Sequence, residues 1–156
     1  MRAEVGRRIA EYGNAENECR GIEFGYSYEN SPVICSEPNV HAGTDFIAYQ
    51  PTTIPGCRLP STFLRDGSAL FDRLGPWFTL MTFNNADPSP LRSAAQKHRM
   101  PLAHVILDEP DFEPIYEAKM LLVRPDQHVC WRGNSLDERF AEEIVQTVLG
   151  FTEAQK

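Results

Sequence analysis

Of the residue types in this chain, cysteine is the best suited to redox or nucleophilic chemistry. Cysteines occur at positions 19, 35, 57 and 130. The intervals of 16, 22 and 73 residues give neither a CxxC dithiol nor a short pair of metal ligands. Cys57 and Cys130 are reactive only if they are exposed. Scattered cysteines usually serve as small buried apolar groups. We expect Cys130, next to Trp131 in a predicted strand, to pack in the protein interior.

The histidines and the acidic residues do not form a recognisable site. No histidine lies three or four residues from another ligand in a consistent pattern (His41, His98, His104 and His128). His104 alternates with apolar residues, so we expect a hydrogen-bonded structural group. An acidic cluster is typical of a solvated loop (Asp108, Glu109, Asp111 and Glu113). We therefore assign no catalytic, cofactor-binding or metal-binding residue from the sequence.

The aromatic residues and the glycines bear on ligand binding. Six aromatic residues are predicted to fill the core (Trp77, Trp131, Phe63, Phe71, Phe78 and Phe83). The alternative is a stacking platform for an aromatic ligand, which would make the chain a small-molecule binding module. The glycines are dispersed and no GxGxxG follows a predicted strand, so the usual dinucleotide cradle is absent from the sequence.

The first third of the chain is predicted to be an extended N-terminal lead-in, residues 1–55. A charged helix over Ala3–Tyr12 precedes an irregular stretch rich in Asn, Gly and Pro. Within it, Gly25–Ile34 alternates aromatic and small polar residues, as an extended segment against a neighbouring surface would. We predict that Gly25–Ile34 forms part of a docking surface, and that residues 56–152 form the folded domain.

The second part of the chain shows clearer patterns of secondary structure. Arg58–Gly67 is predicted to be extended up to an Asp-Gly turn, with a short helix or turn over 68–74. Pro76–Phe83 is an almost continuous apolar run, which predicts a central strand buried on both faces. A helix from Pro90 to about His98 is predicted next, and then a second strand over Pro101–Leu107.

A hairpin is predicted after one or two helical turns within 112–118. Its strands are Met120–Arg124 and His128–Arg132, joined by a type I turn with Pro125 and Asp126 in the central positions.

The last predicted element is an amphipathic helix that ends at about Gly150. A capping box of Ser135 and Glu138 would start it, and apolar residues recur every four positions (Leu136, Phe140, Ile144 and Val148). The order strand, helix, strand, short helix, strand, strand, helix predicts an α/β fold of thioredoxin-like type, with a central mixed sheet flanked by helices. A reactive thiolate in such a fold lies at the N-terminus of the helix after the first central strand, but Asn84–Ser89 contains no cysteine.

Composition and net charge disfavour some classes of partner and location. The net charge of -7 and the pI near 5.1 disfavour nucleic acid as a partner. No apolar run approaches the roughly 20 residues of a membrane span, and the charged N-terminus does not resemble a secretory signal. We therefore expect a cytoplasmic protein.

Three segments together resemble the end of the FAD-dependent aromatic hydroxylases of the phenol hydroxylase type. They are Phe24–Pro32, Pro55–Asp72 and Leu122–Arg132, and the resemblance extends from about residue 5 to 150. In that family a thioredoxin-like C-terminal domain, often involved in dimerisation, follows a large FAD and substrate domain. The lead-in resembles the end of that flavin domain.

The resemblance implies a parent enzyme that uses FAD, NAD(P)H and oxygen to hydroxylate an aromatic ring. It implies that this chain is a non-catalytic structural or dimerisation domain without a cofactor of its own, whose partner is the FAD/substrate domain or a second subunit in a homodimer. The family often has a histidine soon after the proline matching Pro60, where this chain has Ser61 and Thr62, and usually a glycine at Gln127, which implies a different turn. The alternatives are a stand-alone thioredoxin-like thiol oxidoreductase using Cys57, or an aromatic-ligand binding module.

Overall fold

A computed structural model of the chain describes residues 2–13, 19–43, 45–83, 85–107 and 113–151. In chain order the elements are α1 (Arg2–Tyr12), α2 (Arg20–Gly25), a 3-10 helix (Leu70–Arg73), β1 (Phe78–Phe83), α3 (Ser89–Lys97), β2 (Leu102–Leu107), α4 (Glu113–Tyr116), β3 (Met120–Val123), β4 (Val129–Gly133) and α5 (Glu138–Val148). None of the helices in these ranges is long and apolar enough to cross a membrane.

The four strands form one mixed sheet in the order β2-β1-β3-β4. β1 runs parallel to β2, from Phe78 opposite Leu102 to Phe83 opposite Leu107, and antiparallel to β3. β3 and β4 form the predicted hairpin. This confirms the predicted α/β fold with a central mixed sheet and flanking helices, and the strand order is consistent with the thioredoxin-like arrangement.

The sheet is buried on both faces, as the continuous apolar run in β1 predicts. Side chains alternate between the faces: Leu80 packs with α3 and α5, whereas Met81 and Phe83 point to the opposite face. That second face is covered by Leu59, Leu64 and Leu70 together with Tyr116. The extended run, the 3-10 helix and α4 therefore cover this side of the sheet.

The hairpin turn confirms the predicted type I geometry. The Gln127 N–H donates to the Arg124 carbonyl at 3.0 Å, and the Arg124 N–H donates to the His128 carbonyl at 2.8 Å. Gln127 has φ = 67°, the left-handed conformation that glycine adopts most easily. The Gln127 side chain also accepts from Arg58 Nη2 at 2.8 Å, so the turn is tied to the chain that precedes the sheet.

The predicted start of the last helix is wrong. Asp137, rather than Ser135, is the N-cap, and its Oδ1 accepts from the Phe140 N–H at 2.7 Å. Asp caps a helix as well as Ser does, and the aspartate lies closer to the buried stripe. That stripe is Ala141, Ile144, Val145 and Val148, while Phe140 is 46% exposed. Gly150, with φ = 77°, follows the end of the helix as expected.

The run Arg58–Gly67 is extended up to its turn, as predicted. Among the described residues it forms no strand and makes only the isolated bridges Arg58 to His128 and Phe63 to Ala69, because its leucines pack across the sheet face. The expectation for the aromatic residues needs correction. Of the predicted core aromatics, Trp131 and Phe83 are buried, but Phe63 is 74% and Trp77 59% exposed. Trp77 directly precedes β1, where an apolar pattern does not distinguish a strand from its flank, and Phe63 lies in the extended run, opposite Ala69.

Residues of the lead-in and of the segment after it lie along the outer edge of β4. The Cys35 N–H donates to the Cys130 carbonyl at 2.9 Å, the Gly56 N–H donates to the Val129 carbonyl at 2.7 Å, and the Val129 N–H donates to the Cys57 carbonyl at 2.9 Å. These bonds satisfy the backbone groups that an edge strand otherwise exposes.

Candidate docking surface

The cysteines are placed for packing rather than for thiol chemistry. All four are free thiols. Cys57 is 5% exposed, and burial, the main cause, raises its pKa. Burial also raises the pKa of Cys35 to about 11 and that of Cys130 well above its usual value. Because the thiolate is the reactive form, this environment does not favour the Cys57 oxidoreductase.

The histidines make structural contacts. His104 Nε2 lies 2.9 Å from Thr82 Oγ1, as expected of a hydrogen-bonded group, and burial lowers its pKa, with a smaller effect from Arg92. His98 and Lys97 contact the Glu142 carboxylate. Among the described residues, no three His, Cys, Asp or Glu side chains come together as a metal site would require. Asp108, Glu109 and Asp111 lie outside those residues, and Glu113 begins α4.

The most prominent remaining feature is a group of large apolar side chains that the lead-in exposes. We call it the lead-in surface; its members, with their exposed fractions, are Ile22 (53%), Phe24 (38%), Tyr26 (44%), Tyr28 (43%), Phe46 (66%) and Ile47 (47%). Clusters of exposed apolar side chains mark interaction sites more often than single ones do.

A close backbone contact joins the two parts of this surface. The Gly21 N–H in α2 donates to the Ile47 carbonyl at 3.3 Å. A Cβ on Gly21 would lie 1.7 Å from the Asp45 carbonyl oxygen, so only glycine permits the approach. The Asp45 carboxylate accepts from the Ile47 and Ala48 N–H groups, both at 2.9 Å, and these bonds lower its pKa. The loop therefore holds Phe46 and Ile47 beside α2.

The two tyrosines of the surface are fixed on the hairpin turn. The ring of His128 lies 5.1 Å from that of Tyr26 and 4.8 Å from that of Tyr28. The Arg124 guanidinium lies 5.8 Å from the Tyr28 ring. His128 is 2% exposed and its Nδ1 donates to the Asp126 carbonyl at 3.0 Å. The tyrosines thus cover the histidine with one part of each ring and expose the rest.

Arg58 joins the surface to the rest of the domain. Its guanidinium lies 5.5 Å from the Phe24 ring and 5.3 Å from the Phe71 ring, and it also donates to Gln127. Such cation–π contacts add about 0.5–1 kcal/mol each at partly exposed sites. The lead-in surface is therefore a preformed feature, held by backbone bonds and ring contacts.

Sequence reasoning found part of this surface. The alternating segment Gly25–Ile34 contains Tyr26 and Tyr28, which lie in it. Phe46 and Ile47 were missed because they stand in irregular chain without periodicity, and Ile22 because α2, of six residues, is too short to show a periodic pattern. The close approach at Gly21 carries no signal in the sequence beyond the glycine itself.

Comparison with known proteins gives a consistent picture. A family model described as aromatic-ring hydroxylase, C-terminal, matches residues 52–151. The FAD-dependent monooxygenase opdD of Penicillium oxalicum is 36% identical over 146 residues, 87% of this chain and 28% of that protein. Phenol 2-monooxygenase of a Pseudomonas species (strain EST1001) is 28% identical over 140 residues, 78% of this chain and 23% of that protein.

Solved structures agree with the family match. The structure of native and K252c-bound RebC-10x superimposes with a TM-score of 0.84 at 31% identity, over 97% of this chain and 29% of that one. The chain therefore spans between about a quarter and a third of the length of the proteins it matches.

The described residues form several cavities that differ in size and lining. The enclosed aromatic cavity beside Phe24, Tyr49 and Cys57 has a volume of about 10 Å³, room for one water at most. The groove between α3 and α5 is larger, about 650 Å³, but open, and both acidic and basic side chains line it (Glu138, Glu142, Glu143, Lys97 and Arg139). A further cavity of about 320 Å³ lies in the lead-in surface, beside Ile22, Tyr26 and Phe46.

Proposed function

The chain belongs to the family of aromatic-ring hydroxylase C-terminal domains, and we propose that it serves a FAD-dependent aromatic-ring monooxygenase as a non-catalytic docking and dimerisation domain. In this proposal residues 1–55 form the lead-in that joins the flavin-bearing part of the enzyme. Residues 56–152 form the folded domain, and the lead-in attaches this domain to the flavin-bearing part.

The observation that carries this proposal is the lead-in surface. Six large apolar side chains lie on a segment that backbone bonds hold against the domain. Relatives such as opdD are more than three times as long as the matched region, which is 28% of that protein. The proposed occupant of the surface is the flavin-bearing part of the parent enzyme, because burying these side chains would stabilise the contact by roughly 25 cal/mol for each Å² covered.

The parent enzyme is proposed to take electrons from NAD(P)H through FAD and to insert one oxygen atom of O₂ into an aromatic ring. We assign the chemistry to the flavin-bearing part, since this chain has no glycine-rich cradle for a dinucleotide in its sequence. Free thiols throughout the chain support the cytoplasm as the proposed location.

The two alternatives gain no support. The Cys57 thiol is buried and its pKa is raised, the reverse of an activated thiolate. For an aromatic-ligand module, the cavity beside Phe24 and Tyr49 is too small, about 10 Å³, and Trp77 and Phe63 are exposed rather than gathered in a cleft. The cavity of about 320 Å³ beside Tyr26 and Phe46 lies in the lead-in surface, which this proposal assigns to the flavin-bearing part.

A pair of matched substitutions tests the docking role. Phe46→Asp places a charge in the lead-in surface, and Phe63→Asp places the same charge at a similarly exposed ring outside it, 66% against 74%. The flavin-bearing part of the parent enzyme, produced without these residues, is titrated with each variant by calorimetry. We expect Phe46→Asp to weaken binding at least tenfold and Phe63→Asp to leave it unchanged. Equal binding by both variants would contradict the proposed surface.

A further inference from the structure

The cavity in the lead-in surface has a lining suited to one kind of partner. Its volume is about 320 Å³, at the lower end of the range for ligand pockets, about 300–1,000 Å³. Its walls combine apolar and aromatic side chains (Ile22, Tyr26 and Phe46) with the side chain of Glu29. Among the described residues that line it, Glu29 alone carries a formal charge. We call this space the lead-in cavity.

The Glu29 carboxylate is half-buried and only partly used. Its side chain is 26% exposed, and Oε2 accepts from the Ala42 N–H at 3.2 Å. The other oxygen, Oε1, lies 3.7 Å from His41 Nδ1, which is too far for a hydrogen bond. A carboxylate has about four acceptor positions. Within the described part of the chain, Glu29 therefore keeps acceptor positions free for a cationic partner.

The backbone at Glu29 is fixed, so the lead-in cavity is present before a partner binds. The Tyr28 N–H donates to the Gly56 carbonyl at 2.9 Å. Gly56 has φ = 101°, and a Cβ there would lie 2.4 Å from the Glu29 nitrogen. The close approach at Gly21 holds Phe46 on another wall of the cavity. A preformed site costs less conformational freedom on binding.

We propose that the lead-in cavity receives an arginine side chain from the flavin-bearing part of the parent enzyme, and that its guanidinium pairs with the Glu29 carboxylate. The proposal rests on the docking role proposed above and names the chemistry that this surface recognises. The methylene stem of the arginine lies along the apolar wall, as long cationic side chains do. The guanidinium then also lies beside the rings of Tyr26 and Phe46, where cation–π attraction favours it.

Charge favours a basic side chain over other occupants. The chain carries a net charge of -7, and an acidic side chain in the cavity would meet Glu29 with like charge. An apolar side chain would cover the Glu29 carboxylate without pairing it, which is costly. Arginine suits the site better than lysine because its guanidinium is weakly hydrated, carries five donors and stacks on aromatic rings. Arginine is also enriched among the residues that dominate interface affinity.

Two matched substitutions test the pairing. Glu29→Gln removes the charge but keeps an oxygen that can accept from the Ala42 N–H, so the cavity keeps its shape. Glu23→Gln is the control, since Glu23 is an exposed residue of α2 that is not among those lining the cavity. The flavin-bearing part is titrated with each variant by calorimetry at low and at high salt. We expect Glu29→Gln to weaken binding at least tenfold at low salt and less at high salt, and Glu23→Gln to bind as the wild type does.

The outcomes separate the arginine from the docking role on which it rests. If Phe46→Asp weakens binding and Glu29→Gln does not, the docking role stands and the arginine contact is overturned. If the wild-type chain does not bind the flavin-bearing part at all, both proposals are overturned.

A free probe tests the cavity without the flavin-bearing part. N-acetylarginine methylamide is titrated into the 156-residue chain, and the backbone amide signals are followed by NMR. We expect saturable binding on the order of 1 mM, with the largest shifts around Glu29, Ala42 and Phe46, and loss of these shifts in Glu29→Gln. The neutral analogue N-acetylcitrulline methylamide should bind at least tenfold more weakly. Equal behaviour of the two probes, including no binding by either, would overturn the recognition of a guanidinium by Glu29.

Discussion

Gly21→Ala probes how the lead-in surface is built, through a contact that no other residue would permit. An added Cβ would lie 1.7 Å from the Asp45 carbonyl oxygen and 2.9 Å from the Phe46 carbonyl carbon. Both atoms are backbone, so no side chain can turn away to make room. We expect α2 and the loop that carries Phe46 and Ile47 to separate.

Three contributions determine the change in the free energy of unfolding, two of them destabilising and one stabilising. Forcing a methyl group into a packed contact costs about 1–3 kcal/mol, and loss of the hydrogen bond from Gly21 to Ile47 adds about 0.5–1.5 kcal/mol. Replacing glycine by alanine within a helix returns up to about 1 kcal/mol. The net effect is a destabilisation of roughly 0.5–3.5 kcal/mol, confined to the lead-in because the sheet makes no contact with the altered atom.

Hydrogen exchange read by mass spectrometry measures this locally. We expect exchange to accelerate at residues 20–25 and 45–49 in Gly21→Ala, with protection of β1 and β3 unchanged. Gly25→Ala is the matched control in the same helix, since its Cβ would meet only the Tyr49 ring, at an ordinary 3.8 Å. Equal protection in the two variants would refute the close approach and, with it, the preformed lead-in surface.

Three further predictions concern the domain itself. Asp137→Ala removes the N-cap of α5 and should lower the free energy of unfolding by about 1 kcal/mol, whereas Ser135→Ala should change it little; urea unfolding compares the two. The pKa of Glu142 is lowered to about 2, first by hydrogen bonds from the neighbouring lysine and histidine. Its carboxylate therefore stabilises the fold at neutral pH, and the advantage of the wild type over Glu142→Gln should fade as pH falls below the usual pKa of about 4.5 towards 2. Cys57 should react with a thiol reagent only as fast as the protein opens, and rapid labelling of the native state would contradict its buried placement.

The sequence predicts best those elements in which local pattern and tertiary burial agree. Pro76–Phe83 is apolar throughout because β1 is buried on both faces, and the hairpin carries its own turn chemistry in Pro125 and Asp126. The start of α5 was misplaced because Ser135 and Asp137 are both good N-caps, and tertiary packing decides between them.

The candidate surface was less predictable. Its tyrosines follow an alternating pattern that the sequence reveals, but Phe46 lies in irregular chain that only the contact at Gly21 positions. Trp77 and Phe63 show the converse: their apolar character predicts the core, whereas Trp77 lies just before the first strand, Phe63 lies in the extended run, and both rings are exposed. Long-range backbone contacts, which leave no periodic signal, account for these failures.

The measurement that tests the central proposal most directly is a titration of the purified chain with FAD, followed by flavin fluorescence. A domain that docks and carries no catalytic site of its own should give no saturable change at micromolar FAD, while the parent enzyme binds it. Saturable micromolar binding by the chain alone would contradict the account, because it would place a flavin site in a chain whose sequence has no glycine-rich dinucleotide cradle.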